Sequence, residues 1–591
     1  MGRGDGKLRR SQVITSFGPG ATLDLPDESV IIGGLDWWPT LTLERIAEPR
    51  LQEVVTRVLG LEKPVELCLP PRDDERPGSV PVGIPVVSFP NWFVVEHVVP
   101  IGTARSRPLV HRRRLESGFR FRIDGRLADA TPVRFVQACL NGHLDDIEWY
   151  AFVHGGPSTC RRDLWLDEFG TSGDLTDQQV RCECGAKRAL AQATKSAVLG
   201  VCKGQRPWLP TGERCGAGGA AGQMMRLLIR TASNAYYPQK LSALSLPDGV
   251  SGLRDAVVSV WDVLAAVTNS ALLTAFREIE RVKIALAPYG DGAVLDMIEA
   301  VRSGKMPKRP PIKIEEFAAL ATAADSIGDD RPNGDFFARR LLLPEPRPSV
   351  LAGVDRVVLV HRLREVTAQI GFSRFEPVVP DLQGELDLEV RRAALATEVK
   401  WVPAIETRGE GVFISFRSDV LDAWRARRAV RQREEEFRAA QQPGRALPAQ
   451  FDIRYVMLHS LAHLLISAVA LDCGYNASSL RERVYLTPEG CGILIYTGTT
   501  DADGTLGGLV AAGRRIEHYL RMALDLGRLC SNDPVCAQHK PNARLEEKYT
   551  LGAACHGCLL IAETSCERRN ELLDRSLVVA TVDQRGCEFF A

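Results

Sequence analysis

The chain has 591 residues, too many for a single hydrophobic core, and roughly three to five folding units are expected at about 100–200 residues per domain. Hydrophobic residues make up 45% and charged residues 25%, the profile of an ordinary globular protein rather than a disordered or fibrous one. The 74 basic side chains balance 74 acidic ones, which argues against whole-molecule attraction to nucleic acid or anionic membrane but leaves room for a local basic groove.

The start, Met1-Gly2-Arg3-Gly4-Asp5-Gly6-Lys7, leads into no apolar run and lacks the hydroxyl residue of a lipidation signal. No stretch is read as approaching the ~18 apolar residues of a membrane span. The expectation is a cytoplasmic protein with no membrane partner. Its fifteen cysteines are then thiols or metal ligands rather than disulfides.

In chain order, residues 1–130 read as a strand-rich domain, with Pro81–Pro90 a run of short extended pieces. Residues 131–240 form a cysteine-rich zinc module, holding six cysteines among Gly and Pro. Residues 241–305 read as helical, with clear periodicity from Asp255 to Glu299. Lys305–Pro311 is a proline-rich linker. Residues 312–440 are a mixed α/β region in which 354–366 carries helical spacing, and Gln441–Pro448 is a second linker. Residues 450–591 read as an apolar helix, two strands, a Gly-rich turn, a helix and a cysteine cluster. The predicted class is α+β and multidomain, with zinc-stapled loop-rich modules and a C-terminal mixed α/β zinc domain.

The strongest chemical signal is Cys530-x5-Cys536, followed by Cys555-x2-Cys558 and Cys566. Zn2+ takes four soft ligands in a tetrahedron, and a C-x2-C turn presents two sulfurs to one ion. One of the five is spare. Cys536, Cys555, Cys558 and Cys566 are the favoured set, with Cys530 the competing fourth ligand. Four thiolates leave no open position, so the site reads as structural. His556, inside the turn, is expected to face solvent, and Glu563 and Glu567 to be solvated.

A second zinc site is expected from Cys139-x3-His143 and Cys182-x-Cys184, with Cys160 able to replace His143. Gly142 and Gly185 sit where tight turns would wrap an ion. Cys202 and Cys215 are either supplementary ligands or buried thiols. His154 reads as a hydrogen-bonded structural histidine.

Walker A, G-x-S-x-G and H-E-x2-H patterns are absent from the sequence. His459-x3-His463 places two imidazoles one helical turn apart, but its setting is apolar and has no adjacent carboxylate; a core-facing helix is expected. The turn Thr497–Gly508 before a helix is either a phosphate cradle or a plain strand-to-helix turn. Of two basic runs, Arg425–Arg433 continues into Glu434-Glu435-Glu436 and reads as a solvated face. His111–Arg114, near Phe119 and Phe121, is the better candidate for DNA contact.

The segments Arg9–Ala21, Arg134–His143, Ser233–Pro238, Val360–Val366, Gly371-Phe372 and Trp401–Glu406 resemble those of DrmB proteins of the DISARM anti-phage system. The C-terminal unit, with Ala554–Leu560 and Cys566–Arg575, is similar to a helicase-associated domain of unknown function that also follows superfamily 2 helicase cores. In relatives a Phe-Pro-Asn-Trp element leads into a C-x2-C pair. Here Phe89-Pro90-Asn91-Trp92 is followed by Val94-Val95-Glu96-His97-Val98, so no metal is expected near residues 89–125. The resemblance implies a non-enzymatic zinc protein that binds a DrmA-like superfamily 2 helicase and meets DNA through that complex. The alternatives are a metal-dependent nuclease or hydrolase using His459 and His463 on phage DNA, and a stand-alone DNA-binding module.

Overall fold

Twenty consecutive residues, Val354–Ser373, form one strand, where the spacing predicts a helix over 354–366. From Val357 onward the strand is buried on both faces almost without interruption. A strand covered on both sides reads as a continuous apolar run, so its period of two disappears. Its β-branched content (Val354, Val357, Val358, Val360) is the surviving strand signal.

The computed structural model describes residues 8–590 apart from 27, 41–42, 72–82, 171–172, 217–222, 248, 288, 304–309, 323–324, 329, 332–333, 387–390, 441–446, 449, 499–506 and 542–549. Most of each linker candidate and most of the Gly-rich turn therefore lie outside the described residues. The chain divides into two units. The first comprises Met1–Ser242, Thr367–Pro380 and Leu386–Glu406, and the second Ala243–Val366, Asp381–Glu385 and Thr407–Ala591.

The first unit is built on antiparallel sheets. Leu144–Asp145, Phe135–Ala138 and Arg226–Ile229 form a three-stranded sheet. An eight-stranded sheet runs in the order Lys187–Ala189, Gln178–Cys182, Leu164–Glu168, Ala104–His111, Trp92–Val95, Arg126–Pro132 and Arg120–Ile123, with Val99–Ile101 on the Ala104–His111 strand. The interior of the unit contains Arg374, whose guanidinium donates to the carbonyls of Gly142 (2.9 Å), Ala235 (2.5 Å) and Gly20 (2.8 Å). The same group stacks on Phe372 and Trp208. Three of the segments that carry the family resemblance thus converge on one buried cation.

The second unit carries the helices of 249–303, with their own apolar core around Val257, Leu264, Leu273 and Val294. Its sheet includes Phe336–Leu341, the 354–366 part of the long strand, the 407–416 part of Trp401–Phe416, Gly490–Thr497 and Leu480–Thr487. The helix Ile453–Cys473 lies at its centre. Asp452 caps it, its side chain accepting from the Arg454 amide, and Gly474 ends it in the left-handed region at φ 70°. This helix corrects one expectation: with a mean hydropathy of 1.7 it is long and apolar enough to cross a membrane. Here 72% of its most apolar window is buried inside the protein, because it is the core element of this unit. Leu559, just after the C-x2-C turn, joins Leu461, Leu464 and Leu465 in that core.

Candidate metal centres

Among the described residues four groups of metal-ligating side chains form, two in each unit, each with its ligand atoms within 4.8 Å of one another. In the second unit Cys530, Cys536, Cys555 and Cys558 come together. The Cys530 and Cys555 sulfurs are 3.4 Å apart, Cys536 and Cys558 3.7 Å, and Cys555 and Cys558 3.8 Å. Cys530 follows the helix Ile516–Arg528, Cys536 sits on the short helix Val535–Gln538, and the other two share one turn. Backbone amides of Asn532 and Gly557 donate to the Cys530 and Cys555 sulfurs. The hydrogen bond from Cys558 draws the Cys536 thiol down to about 6 against burial, with Arg575 assisting. Arg575 is fully buried, bonded to the Gly527 carbonyl (2.9 Å) and to Asp533 (2.5 Å). Four thiolates around a divalent ion carry two negative charges, and this guanidinium offsets part of that buried charge.

Cys530 therefore stands beside the other three cysteines, where spacing favours Cys566. Cys566 is pulled away because its loop packs on the helix Ile453–Cys473. There His459, His463, Glu482 and Cys566 converge, all buried. His459 Nε2 is 3.2 Å from Cys566 Sγ and 2.8 Å from Glu482 Oε1, and His463 Nε2 is 3.1 Å from the same oxygen. The two histidines do face the core, as expected. The carboxylate that the sequence around them lacks arrives from the strand Leu480–Thr487. Burial pushes the Cys566 thiol well up, and the Glu482 charge adds to the rise. Glu482 is missed from sequence; the signal it leaves is a charged Arg481-Glu482-Arg483 run inside an otherwise apolar strand. Glu567 is not simply solvated: it pairs with the buried Lys313 (2.8 Å) and accepts from the Tyr455 hydroxyl (2.6 Å). Glu563 pairs with Arg569, and His556 is exposed.

In the first unit the four residues expected in one site belong to two. Cys139 and His143 join Cys202 and Cys215, whereas Cys182 and Cys184 join Cys160 and His154. The reason is topological. The Cys139–His143 turn links strands of the three-stranded sheet, and the Cys182–Cys184 turn links strands of the eight-stranded one. In the first group His143 Nδ1 lies 3.3 Å from Cys139 Sγ and 3.4 Å from Cys202 Sγ. Its Nε2 is held by Glu213 at 2.7 Å, the carboxylate–histidine arrangement that fixes a ligand ring and its tautomer. Burial lowers the His143 pKa, but the bonds to Cys139 and Glu213 carry it up to about 9. Gly142, at φ 85°, closes the turn in a region that side chains rarely adopt.

In the second group His154 Nε2 is 3.2 Å from Cys184 Sγ, and the sulfurs of Cys160 and Cys182 are 3.6 Å apart. His154 Nδ1 donates to the Tyr150 carbonyl at 2.7 Å, leaving Nε2 as a lone pair toward the sulfurs. The expectation of a purely hydrogen-bonded His154 misses this placement. Cys184 is exposed, and the Ala186 amide and His154 lower its thiol to about 6.

The basic runs also resolve. Arg112 stacks on Phe119 and Arg114 on Phe121, and Arg114 pairs with Asp163 at 2.6 Å. In the second run Arg433 is buried rather than solvated, bonded to Asp574 at 2.6 Å. The amides of Gly507 and Leu509, at the end of the Gly-rich turn, donate to the Glu410 carboxylate at 2.7 and 2.6 Å. A side chain from another strand thus stands where a phosphate was one of two expectations.

Comparison with known proteins places these centres. The model of a domain of unknown function (DUF8724) matches residues 9–237, which contain both first-unit groups. The MrfA Zn-binding domain model matches residues 461–559, which contain Cys530, Cys536, Cys555 and Cys558 but neither His459 nor Cys566. The chain is 32% identical over 484 residues to the DISARM protein DrmB of Bacillus paralicheniformis, covering 78% of this chain and 82% of that protein. At that identity and coverage, this chain belongs to the DrmB family.

Proposed function

We propose that this protein is a non-catalytic, zinc-stapled, cytoplasmic subunit of a DISARM-type anti-phage complex, binding a DrmA-like superfamily 2 helicase and contributing to DNA engagement. The observation that carries the reading is the pairing of DrmB family membership with three closed Cys/His tetrads. Zinc would be held by Cys530, Cys536, Cys555 and Cys558, by Cys139, His143, Cys202 and Cys215, and by His154, Cys160, Cys182 and Cys184. Each set supplies four protein ligands, so an ion there staples loops and keeps no position for water or substrate. Arg112–Arg114, beside Phe119 and Phe121, are the first candidates for DNA contact.

A nuclease would need several carboxylates around His459 and His463 and an open coordination position. The single carboxylate and the thiol gathered there, all buried, favour a structural role instead. The test is co-purification with the helicase partner, followed by DNA binding by each component alone and together. Cys558→Ser is expected to lower both thermal stability and helicase pull-down. Wild-type stability and partner binding in that variant would sink the structural-zinc account of the C-terminal domain. A nuclease variant of the catalytic kind would keep the fold and the complex while DNA cleavage stopped.

A further inference from the structure

The group formed by His459, His463, Glu482 and Cys566 poses a bonding problem that its own atoms do not solve. His459 Nδ1 faces the Leu572 carbonyl at 3.2 Å, and His463 Nδ1 faces the Leu559 carbonyl at 2.8 Å. A carbonyl only accepts, so each Nδ1 carries the proton and donates it. In a neutral imidazole the remaining Nε2 is then a lone pair. Both Nε2 atoms nevertheless point at one acceptor, Glu482 Oε1, at 2.8 and 3.1 Å. Cys566 Sγ stands 3.2 Å from His459 Nε2, and amides of Arg568 and Asn570 donate to it at 3.3 and 3.1 Å, as they would to a thiolate. The second oxygen of Glu482 is buried with no hydrogen-bond partner.

Without a metal the Cys566 thiol has one proton to give to His459 Nε2, but both Nε2 atoms still face Glu482 Oε1 as acceptors, and two arrangements relieve that. Both rings can be protonated, which puts two imidazolium charges 4.6 Å apart in a fully buried site with one carboxylate. Alternatively, one cation sits at the centre. Burying unmatched charges costs several kcal/mol per ion, so the second arrangement wins. A divalent ion with one carboxylate, one thiolate and two neutral imidazoles sums to zero charge, which suits a site closed to water.

We propose that His459 Nε2, His463 Nε2, Glu482 Oε1 and Cys566 Sγ form a fourth, closed zinc site. The mixed nitrogen, oxygen and sulfur donors suit the borderline-soft Zn2+. Tetrahedral zinc sets such donors about 3.3–3.6 Å apart, close to the separations found between the histidines, Glu482 and Cys566. The carbonyls of Leu572 and Leu559 orient the rings as outer-shell partners do at zinc. The ion would tie three segments together: the core helix Ile453–Cys473, the strand Leu480–Thr487 and the C-terminal segment at Cys566.

The test is anomalous diffraction above and below the zinc edge from crystals of the full, zinc-loaded chain. A peak between the four atoms is expected, and a map without one there overturns the proposal whether or not the three Cys/His tetrads are filled. A peak there with the three tetrads empty would instead sink the assignment of zinc to those tetrads. Native mass spectrometry of Glu482→Gln gives an independent readout, because the amide keeps the shape of the carboxylate and removes its charge. Loss of one zinc per folded chain relative to wild type is expected, and an unchanged count overturns the site.

Discussion

The guanidinium of Arg374 donates a 2.9 Å hydrogen bond to the carbonyl of Gly142, inside the turn that presents Cys139 and His143 to one another. Its two other bonds reach Gly20 and Ala235. A planar fork with five donors serves three carbonyls at once, which a lysine ammonium cannot do in the same geometry. Arg374→Lys and Arg374→Met are both expected to destabilise the protein by about 3 kcal/mol or more, since each buried carbonyl left unmade costs about 1–3 kcal/mol. Denaturant unfolding measures the loss. Zinc content should fall in the same variants, because the Cys139–His143 turn loses its anchor; full stability in Arg374→Met would show that the three carbonyls find other donors.

The tetrads differ in access, which predicts an order of metal loss. Cys184 is exposed, whereas Cys139, His143, Cys202 and Cys215 are all buried. Among the tetrad cysteines a limiting amount of a thiol-reactive probe should label Cys184 first, with the exposed Cys473 outside the tetrads as the internal reference, and a chelator should strip the His154, Cys160, Cys182 and Cys184 group before the others. Peptide mapping after partial labelling decides it. Early labelling of Cys202 or Cys215 would contradict the burial.

Arg433 and Asp574 form a pair buried on both sides, with the carboxylate also accepting from the amides of Ala553 and Ser576. Removing one partner strands the other charge, so Asp574→Asn should cost about 3–5 kcal/mol. Burial raises the Asp574 pKa, but Arg433 and these donors hold it below 3.8 in the folded protein. A depressed carboxyl pKa gives stability that is complete above the unfolded value and lost as pH falls through the folded one. The gap between wild type and Asp574→Asn should therefore stay flat from pH 7 to about 5 and shrink only below about 4. Unfolding curves across that range check the sign, and a gap that widened on acidification would refute the pair as described.

What the sequence discloses and what it hides divide along physical lines. Ligand chemistry is local: C-x2-C and C-x3-H turns announce themselves, and every cysteine named as a ligand from spacing does lie in a tetrad. Partner choice is not local. Spacing favours Cys566 over Cys530, and the packing of the Cys566 loop on the core helix reverses that order. Cys182 and Cys139 read as one site because sequence distance carries no record of which sheet a hairpin joins. The long strand Val354–Ser373 escapes for a related reason, since burial on both faces erases the alternation that marks a strand.

Glu410 supplies the last expectation. Its two carboxylate oxygens accept from the Gly507 and Leu509 amides and from the Tyr475 hydroxyl at 3.3 Å, at the start of the helix Gly508–Arg514. The unpaired amides at a helix start, here the buried one of Leu509 above all, demand an acceptor, and a negative charge there is favoured by up to about 2 kcal/mol when partly buried. Glu410→Ala should therefore lose about 1–3 kcal/mol. Glu410→Gln should lose nearly as much, because its NH2 would turn a donor toward one of the two amides. An anion from solution can then replace what the side chain supplied. Inorganic phosphate at millimolar concentration should raise the unfolding temperature of Glu410→Ala more than that of wild type, where the carboxylate already fills the place. Equal stabilisation of both proteins, with no amide-exchange protection at Gly507 in wild type before phosphate is added, would mean that these amides are free to hold a phosphate after all.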